Sequence, residues 1–345
     1  MSLARAIATG DLLELPSRRD EDWRWTDLRG LIRVLPAASP VHAGALDPGP
    51  FTGLADEDVV VINGRGPGRI QVAPLGRRVI ALRFVAAPDA GAHASSLTID
   101  IGENADVTLL ESYEGEGAGY VVEADLAIAL ARGARLERIV LTRDADDAVS
   151  VSRARIALGP AASFAQTVFA GGAKRQRVET DVAHPGAGAS VRLDGLYVVG
   201  GRRHADITTV VTHAGVDGAT SQLTKGVVRE QGRGVFQGRI VVAPGADRTD
   251  ARMRHDALVL SDHAEVDAKP ELEIYADDVS CAHGNTVGAL DEEALFYARQ
   301  RGIPDAEARA MLTDAFLGEV LDRIEHDGAR DVARAWVAGH NRAPS

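Results

Sequence analysis

Glu103-Asn104-Ala105-Asp106-Val107 returns along the chain as Arg132-Gly133-Ala134-Arg135-Leu136, Pro160-Ala161-Ala162-Ser163-Phe164 and Ala187-Gly188-Ala189-Ser190-Val191. Each copy runs polar or glycine, small, alanine, polar, apolar. Looser copies surround Ala219, Ala246 and Ala264. The alanines at 105, 134, 162, 189, 219 and 246 are 29, 28, 27, 30 and 27 residues apart, and the step on to Ala264 is 18. A near-constant period of this size marks a stack whose units bury their apolar faces only against their neighbours. Between the turns, apolar and polar residues alternate with the period of a strand, as in Leu97-Thr98-Ile99-Asp100-Ile101 and Ala124-Asp125-Leu126-Ala127-Ile128. No helical pattern of useful length interrupts this texture from Val59 to about Val287, which argues against a doubly wound α/β fold. The prediction is a mainly β fold, a parallel β-helix in which each unit is one coil and the alanine fits a corner. An antiparallel sandwich or barrel with evenly spaced hairpins is the competing arrangement.

Outward from this array the texture becomes helical. Leu3, Ile7, Leu12 and Leu13 have loose helical spacing, so residues 1–35 read as a helical segment, and a Pro- and Gly-rich connector follows from Pro36 to Gly53. After Gly288, Asp291 is a candidate N-cap with Glu292 and Glu293 in the first turn, and Gly302 is the expected stop. A second helix opens near Pro304-Asp305 with a stripe of Met311, Leu312, Ala315, Phe316, Val320, Leu321 and Ile324, and a third holds Val332, Ala335 and Trp336. The expected organisation is an N-terminal helical segment and connector over 1–53, a β-helix core over 54–288 and a C-terminal helical domain over 289–345. That last domain is expected at one end of the solenoid, capping the last coil, offering a docking face, or both.

The composition narrows the function. The 345 residues carry a net charge of −12 and only 4% aromatics, so the core is aliphatic and a concentrated positive face for nucleic acid is not expected. Only three of the 38 basic residues are lysines: Lys174, Lys225 and Lys269. A single cysteine, Cys281, forbids an internal disulfide and cannot by itself supply the four thiolates of an iron–sulfur cluster or a structural zinc. There is no apolar run of signal-peptide or membrane-spanning length, so the expected setting is soluble and cytoplasmic.

No phosphate-binding loop, Gly-x-Ser-x-Gly elbow or His-Glu-x-x-His is present, and no catalytic residue is assigned. The ten histidines are scattered, and His213 and His263 read as hydrogen-bonded structural imidazoles. Chemistry-bearing residues are densest in Tyr275-Ala276-Asp277-Asp278-Val279-Ser280-Cys281-Ala282-His283-Gly284. On a strand, Cys281 and His283 share a face with Cα atoms about 7 Å apart. That spacing suits metal ligation better than a proton-sharing nucleophile pair. Structural roles, ligation and nucleophilic catalysis all remain open on spacing alone.

Three stretches carry a resemblance. They are Phe236-Gln237-Gly238-Arg239-Ile240-Val241-Val242-Ala243-Pro244, the run from Lys269 to Gly288, and Asp291-Glu292 with Leu295 to Gly302. Together they closely resemble the SufB/SufD scaffold family of the SUF iron–sulfur cluster assembly system. Arg18-Arg19-Asp20-Glu21-Asp22-Trp23-Arg24-Trp25-Thr26-Asp27-Leu28 looks like the family's N-terminal motif, and Cys-x-His-Gly at 281–284 is similar to the SufD form. The match is specific over 236–302, suggestive over 16–28 and a matter of pattern between them.

The resemblance implies a right-handed parallel β-helix flanked by helical ends. It also implies a heterodimer with SufB through the β-helices and docking of the SufC ATPase on the C-terminal helices. The nascent iron–sulfur cluster would then form at the SufB interface, with His283 as a ligand and Cys281 beside it. The chain would be a scaffold rather than an enzyme. It would hold no cluster alone, and a homodimer where SufB is absent stays open. Two rivals stand: a β-helix enzyme acting on polysaccharide, for which Asp277-Asp278 is the candidate carboxylate pair, and a self-associating binding module.

Overall fold

The alternating runs become strands. The computed structural model describes residues 1–184 and 187–341. After helix α1 (Leu3–Thr9) come β1 (Glu57–Ile62), β2 (Arg69–Val72), β3 (Arg77–Ala86), β4 (Ala92–Ile101), β5 (Asp106–Gly115) and β6 (Val121–Leu130). They continue as β7 (Arg135–Arg143), β8 (Val149–Leu158), β9 (Ser163–Ala170), β10 (Arg175–His184), β11 (Ser190–Val199) and β12 (His204–His213). The array closes with β13 (Ala219–Val228), β14 (Arg233–Val242), β15 (Thr249–Val259), β16 (Glu265–Ile274) and β17 (Val279–Gly288). Helices α2 (Glu292–Gln300), α3 (Asp305–Leu321) and α4 (Asp327–Asn341) follow.

Odd strands form one nine-stranded sheet in the order β1-β3-β5-β7-β9-β11-β13-β15-β17, and even strands an eight-stranded sheet from β16 back to β2. Every strand pairing is parallel, which makes the domain a β-solenoid of about eight turns and excludes the antiparallel alternatives. The register stacks equivalent residues, so that Leu193, Gln222, Met253 and His283 stand in one column inside the nine-stranded sheet.

The repeated alanine does what its size predicts. Ala105, Ala134, Ala162 and Ala189 are at most 1% exposed, each at the corner before an odd strand. The residue before each one, Asn104, Gly133, Ala161 and Gly188, has a positive φ. Its N–H reaches the next coil's corner: Asn104 to Arg132 O, Gly133 to Pro160 O and Ala161 to Ala187 O, each at 3.0 Å. The corner is thus a hydrogen-bonded ladder in its own right. The copy at Ala219 lies one residue out of phase, because Ala219 pairs with Ser190 and Gly218 takes the place of Ala189. A Cβ on Gly218 would stand 2.5 Å from His213 Nδ1, so the buried imidazole occupies the alanine's space. Ala264 precedes β16 in the opposite sheet, which accounts for the short final step.

Helix is scarcer at the N-terminus than the apolar spacing predicts. Only α1 is α-helical, and Leu12–Glu14 and Glu21–Trp23 are single 3₁₀ turns. Pro16 lacks a helical donor, and its carbonyl accepts from Leu28 and Arg29 instead, folding the segment back on itself.

At the other end the expected caps hold. The Asp291 side chain accepts from Glu293 and Ala294, and Gly302 stops α2 at φ 85°. The position differs, because these helices do not close the last coil. They lie along the outer face of the nine-stranded sheet, with α3 against β11 and β13 and α4 against β11. Leu110, Ile139, Leu196, Val198, Leu223 and Val227 point outward there and need cover. Burying each such side chain stabilises by roughly 1.5–3 kcal/mol, more than a loose cap on one coil would recover. Among the described residues no helix is long and apolar enough to cross a membrane.

Candidate functional site

Cys281 and His283 lie on the last strand of the solenoid. β17 pairs only with β15, and β16 only with β14, so both strands of this coil have an open edge. Along β17, Cys281 pairs with Ala251, His283 with Met253 and Asn285 with His255. Val279 and Cys281 pack against the main core, and the strand period puts His283 and Asn285 in the same phase. With no further coil stacked on it, this lumen-side row stays open: His283 is exposed and Cys281 half-buried.

Burial pushes the Cys281 thiol up, offset in part by the Ala251 backbone. It therefore carries its proton at neutral pH and is not an activated nucleophile by itself. A metal that displaces that proton would find a thiolate and an imidazole on one face. Among the described residues no group of three or more His, Cys, Asp or Glu is arranged to hold a metal.

Behind this strand lies a feature that motif reading missed. Asn285 Oδ1 is 2.6 Å from His255 Nδ1, and His255 Nε2 is 2.9 Å from the Tyr197 hydroxyl. The His255 ring is buried and stacks on Phe236 at 4.7 Å with 3° between planes. The signal was the repeat itself: Asn285 and His255 are 30 residues apart, one period, and so face each other on successive coils.

The family profile described as "SUF system FeS cluster assembly, SufBD core domain" matches residues 84–316, most of the solenoid, helix α2 and the greater part of α3. The chain belongs to the SufBD family. It is 33% identical over 241 residues to the iron–sulfur cluster assembly protein SufD of Escherichia coli, covering 69% of this chain and 57% of that protein. It is 32% identical over 237 residues to a SufBD family protein of Synechocystis, covering 66% and 52%. A Mycobacterium leprae SufBD family protein is 29% identical over 352 residues, with 91% and 87% covered. The chain thus spans little more than half the length of the first two relatives. The SufD form of the motif at 281–284 agrees with the name of the E. coli relative.

Two of the three lysines, Lys269 and Lys225, serve the fold of this SufBD chain. Lys269 bonds Glu21 at 2.8 Å and Glu271 at 3.1 Å, tying the N-terminal motif to β16. Lys225 donates to Phe316 O at 2.9 Å and pairs with Glu319 at 2.5 Å, fastening α3 to β13. His213 is the structural imidazole expected, bonded to Thr220 Oγ1 at 2.8 Å, whereas His263 is exposed in a turn. On α2 and α3, Phe296, Tyr297 and Met311 are exposed, with the Arg301 guanidinium over the Tyr297 ring at 5.0 Å.

Proposed function

We propose that this chain is a non-catalytic scaffold subunit of iron–sulfur cluster assembly, working in the cytoplasm. In this reading the open last coil pairs with SufB. His283, with Cys281 as a second donor, joins SufB thiolates around a nascent cluster that is cargo rather than a resident cofactor. Imidazole is an established partner for thiolate in ligating cluster iron, so a mixed ligand set is chemically sound. The observation that carries the reading is the exposure of His283 beside the only thiol, on a strand whose outer edge is unpaired. In the absence of SufB the same open coil is available to a second copy of this chain.

The exposed Phe296, Tyr297 and Met311 support SufC docking on α2 and α3, since unburied aromatic and Met side chains are the anchors that interfaces favour. The test is to mix the chain with SufB and SufC and weigh the complexes in solution. Phe296→Asp with Tyr297→Asp should weaken SufC binding at least about tenfold while sparing SufB. Unchanged SufC binding removes that docking site, and turnover of a polysaccharide by the isolated chain would replace the scaffold reading altogether.

A further inference from the structure

We propose that Tyr197, His255 and Asn285 form a positioning chain that holds the open-edged strand β17, and through it His283, in place. Only one flank of β17 is bonded, to β15, so the strand lacks the second ladder that locks every interior strand. The side chain of Asn285 replaces part of that missing restraint by reaching back into the previous coil, where His255 Nδ1 meets its Oδ1 at 2.6 Å.

The chain has a fixed direction. Oδ1 of a carboxamide can only accept, so His255 Nδ1 must carry the proton. Burial favours the neutral ring, which leaves Nε2 as an acceptor for the Tyr197 hydroxyl at 2.9 Å. Each member therefore has one defined role, and a residue that cannot fill it breaks the chain.

The surroundings are built to hold these rings. Gly226 and Gly234 leave the space that Tyr197 fills, since a Cβ on either would stand 1.9 or 2.2 Å from a Tyr197 ring carbon. Phe236, from the opposite sheet, stacks flat on His255 and clamps it from the other side. The anchor of the chain is thus rigid, while its outer member belongs to the exposed strand.

Single substitutions separate the two links. In His255→Asn the side-chain amide lies near the former Nδ1 position and keeps a donor for Asn285. In His255→Gln it lies near the former Nε2 position and keeps only the Tyr197 bond. Amide hydrogen exchange of the isolated chain, with the Cys281 alkylation rate alongside, reads the order of β17. His255→Gln and Asn285→Ala, which cut the bond to β17, should each speed both rates in β17 by about tenfold, and His255→Asn, which cuts only the Tyr197 bond, by about threefold. Equal behaviour of the Gln and Asn variants, or acceleration spread evenly over β7 and β8 as well, overturns the proposal. Tyr197→Phe keeps the ring in its glycine pocket and cuts the same bond as His255→Asn, so it should give the same roughly threefold rise if a His255 variant fails to fold, and wild-type rates there remove Tyr197 from the chain. The link to His283 rests on the ligand role proposed above. If the SufB complex of His283→Ala loads clusters normally, that role fails while the exchange result stands.

Discussion

The indole of Trp23 lies over the guanidinium of Arg177 at 4.4 Å, joining the N-terminal motif to the outer face of β10. Arg177 is 2% exposed and is fully engaged: Nη1 donates to Asp22 O at 2.6 Å and to Asp206 at 3.0 Å, and Nη2 faces Glu179 at 2.9 Å. Thr26 also donates to Asp206, and Lys269 holds Glu21. The motif is a strap that covers charged residues on the eight-stranded sheet, as the C-terminal helices cover apolar ones on the other.

Trp23→Ala removes the lid of this cluster. It should cost about 2 kcal/mol locally, from the lost cation–π contact and the water admitted to Arg177. Hydrogen exchange is expected to rise over residues 1–35 and β10 and to stay unchanged in β5 to β7. A strap that exchanges at the wild-type rate would show that the contact carries no weight.

Inside the solenoid, Arg138 and Glu111 form an ion pair at 2.6 Å with side chains 1% and 0% exposed. Glu111→Ala leaves the guanidinium buried without its counter-charge and should cost about 3–5 kcal/mol. Replacing both by Leu and Met of similar volume should fall within about 1 kcal/mol of wild type or above it. Denaturant midpoints decide this, and equal losses in the single and double variants would refute it.

Stability should fall as the solution is acidified from pH 6.5. Burial first, with Arg175 beside one and His184 beside the other, pulls His204 and His213 down to about 4 from the ordinary 6.5. Below pH 6.5 the unfolded chain binds protons that the folded imidazoles refuse. Their contribution is therefore complete above 6.5 and is lost as pH falls towards 4, with a slope of up to about 1.4 kcal/mol per pH unit for each ring. Urea midpoints of wild type and His213→Gln between pH 7 and 4.5 isolate one ring. The variant should show the shallower dependence, and parallel curves would refute the assignment.

The solenoid was legible because each coil repeats one corner, and a buried alanine beside a positive-φ residue leaves a mark every 27 to 30 residues. Where a buried His213 displaces that alanine, the mark slips by one residue. The strap was not legible as structure, since its bonds join Asp22 to Arg177 and Thr26 to Asp206 across 155 and 180 residues. Nor was the resting place of the helices, because an amphipathic stripe shows that a face is buried without naming what covers it. At the candidate site, Cys281 and His283 were visible as a strand pair. His255 was not, because its meaning depends on which residue stands one coil later.

The central claim turns on His283. Complexes of this chain with SufB and SufC, reconstituted with iron and a sulfide source, should lose at least about tenfold of their cluster absorbance in His283→Ala, with complex mass unchanged. Cluster yield equal to wild type in an intact His283→Ala complex would contradict the account.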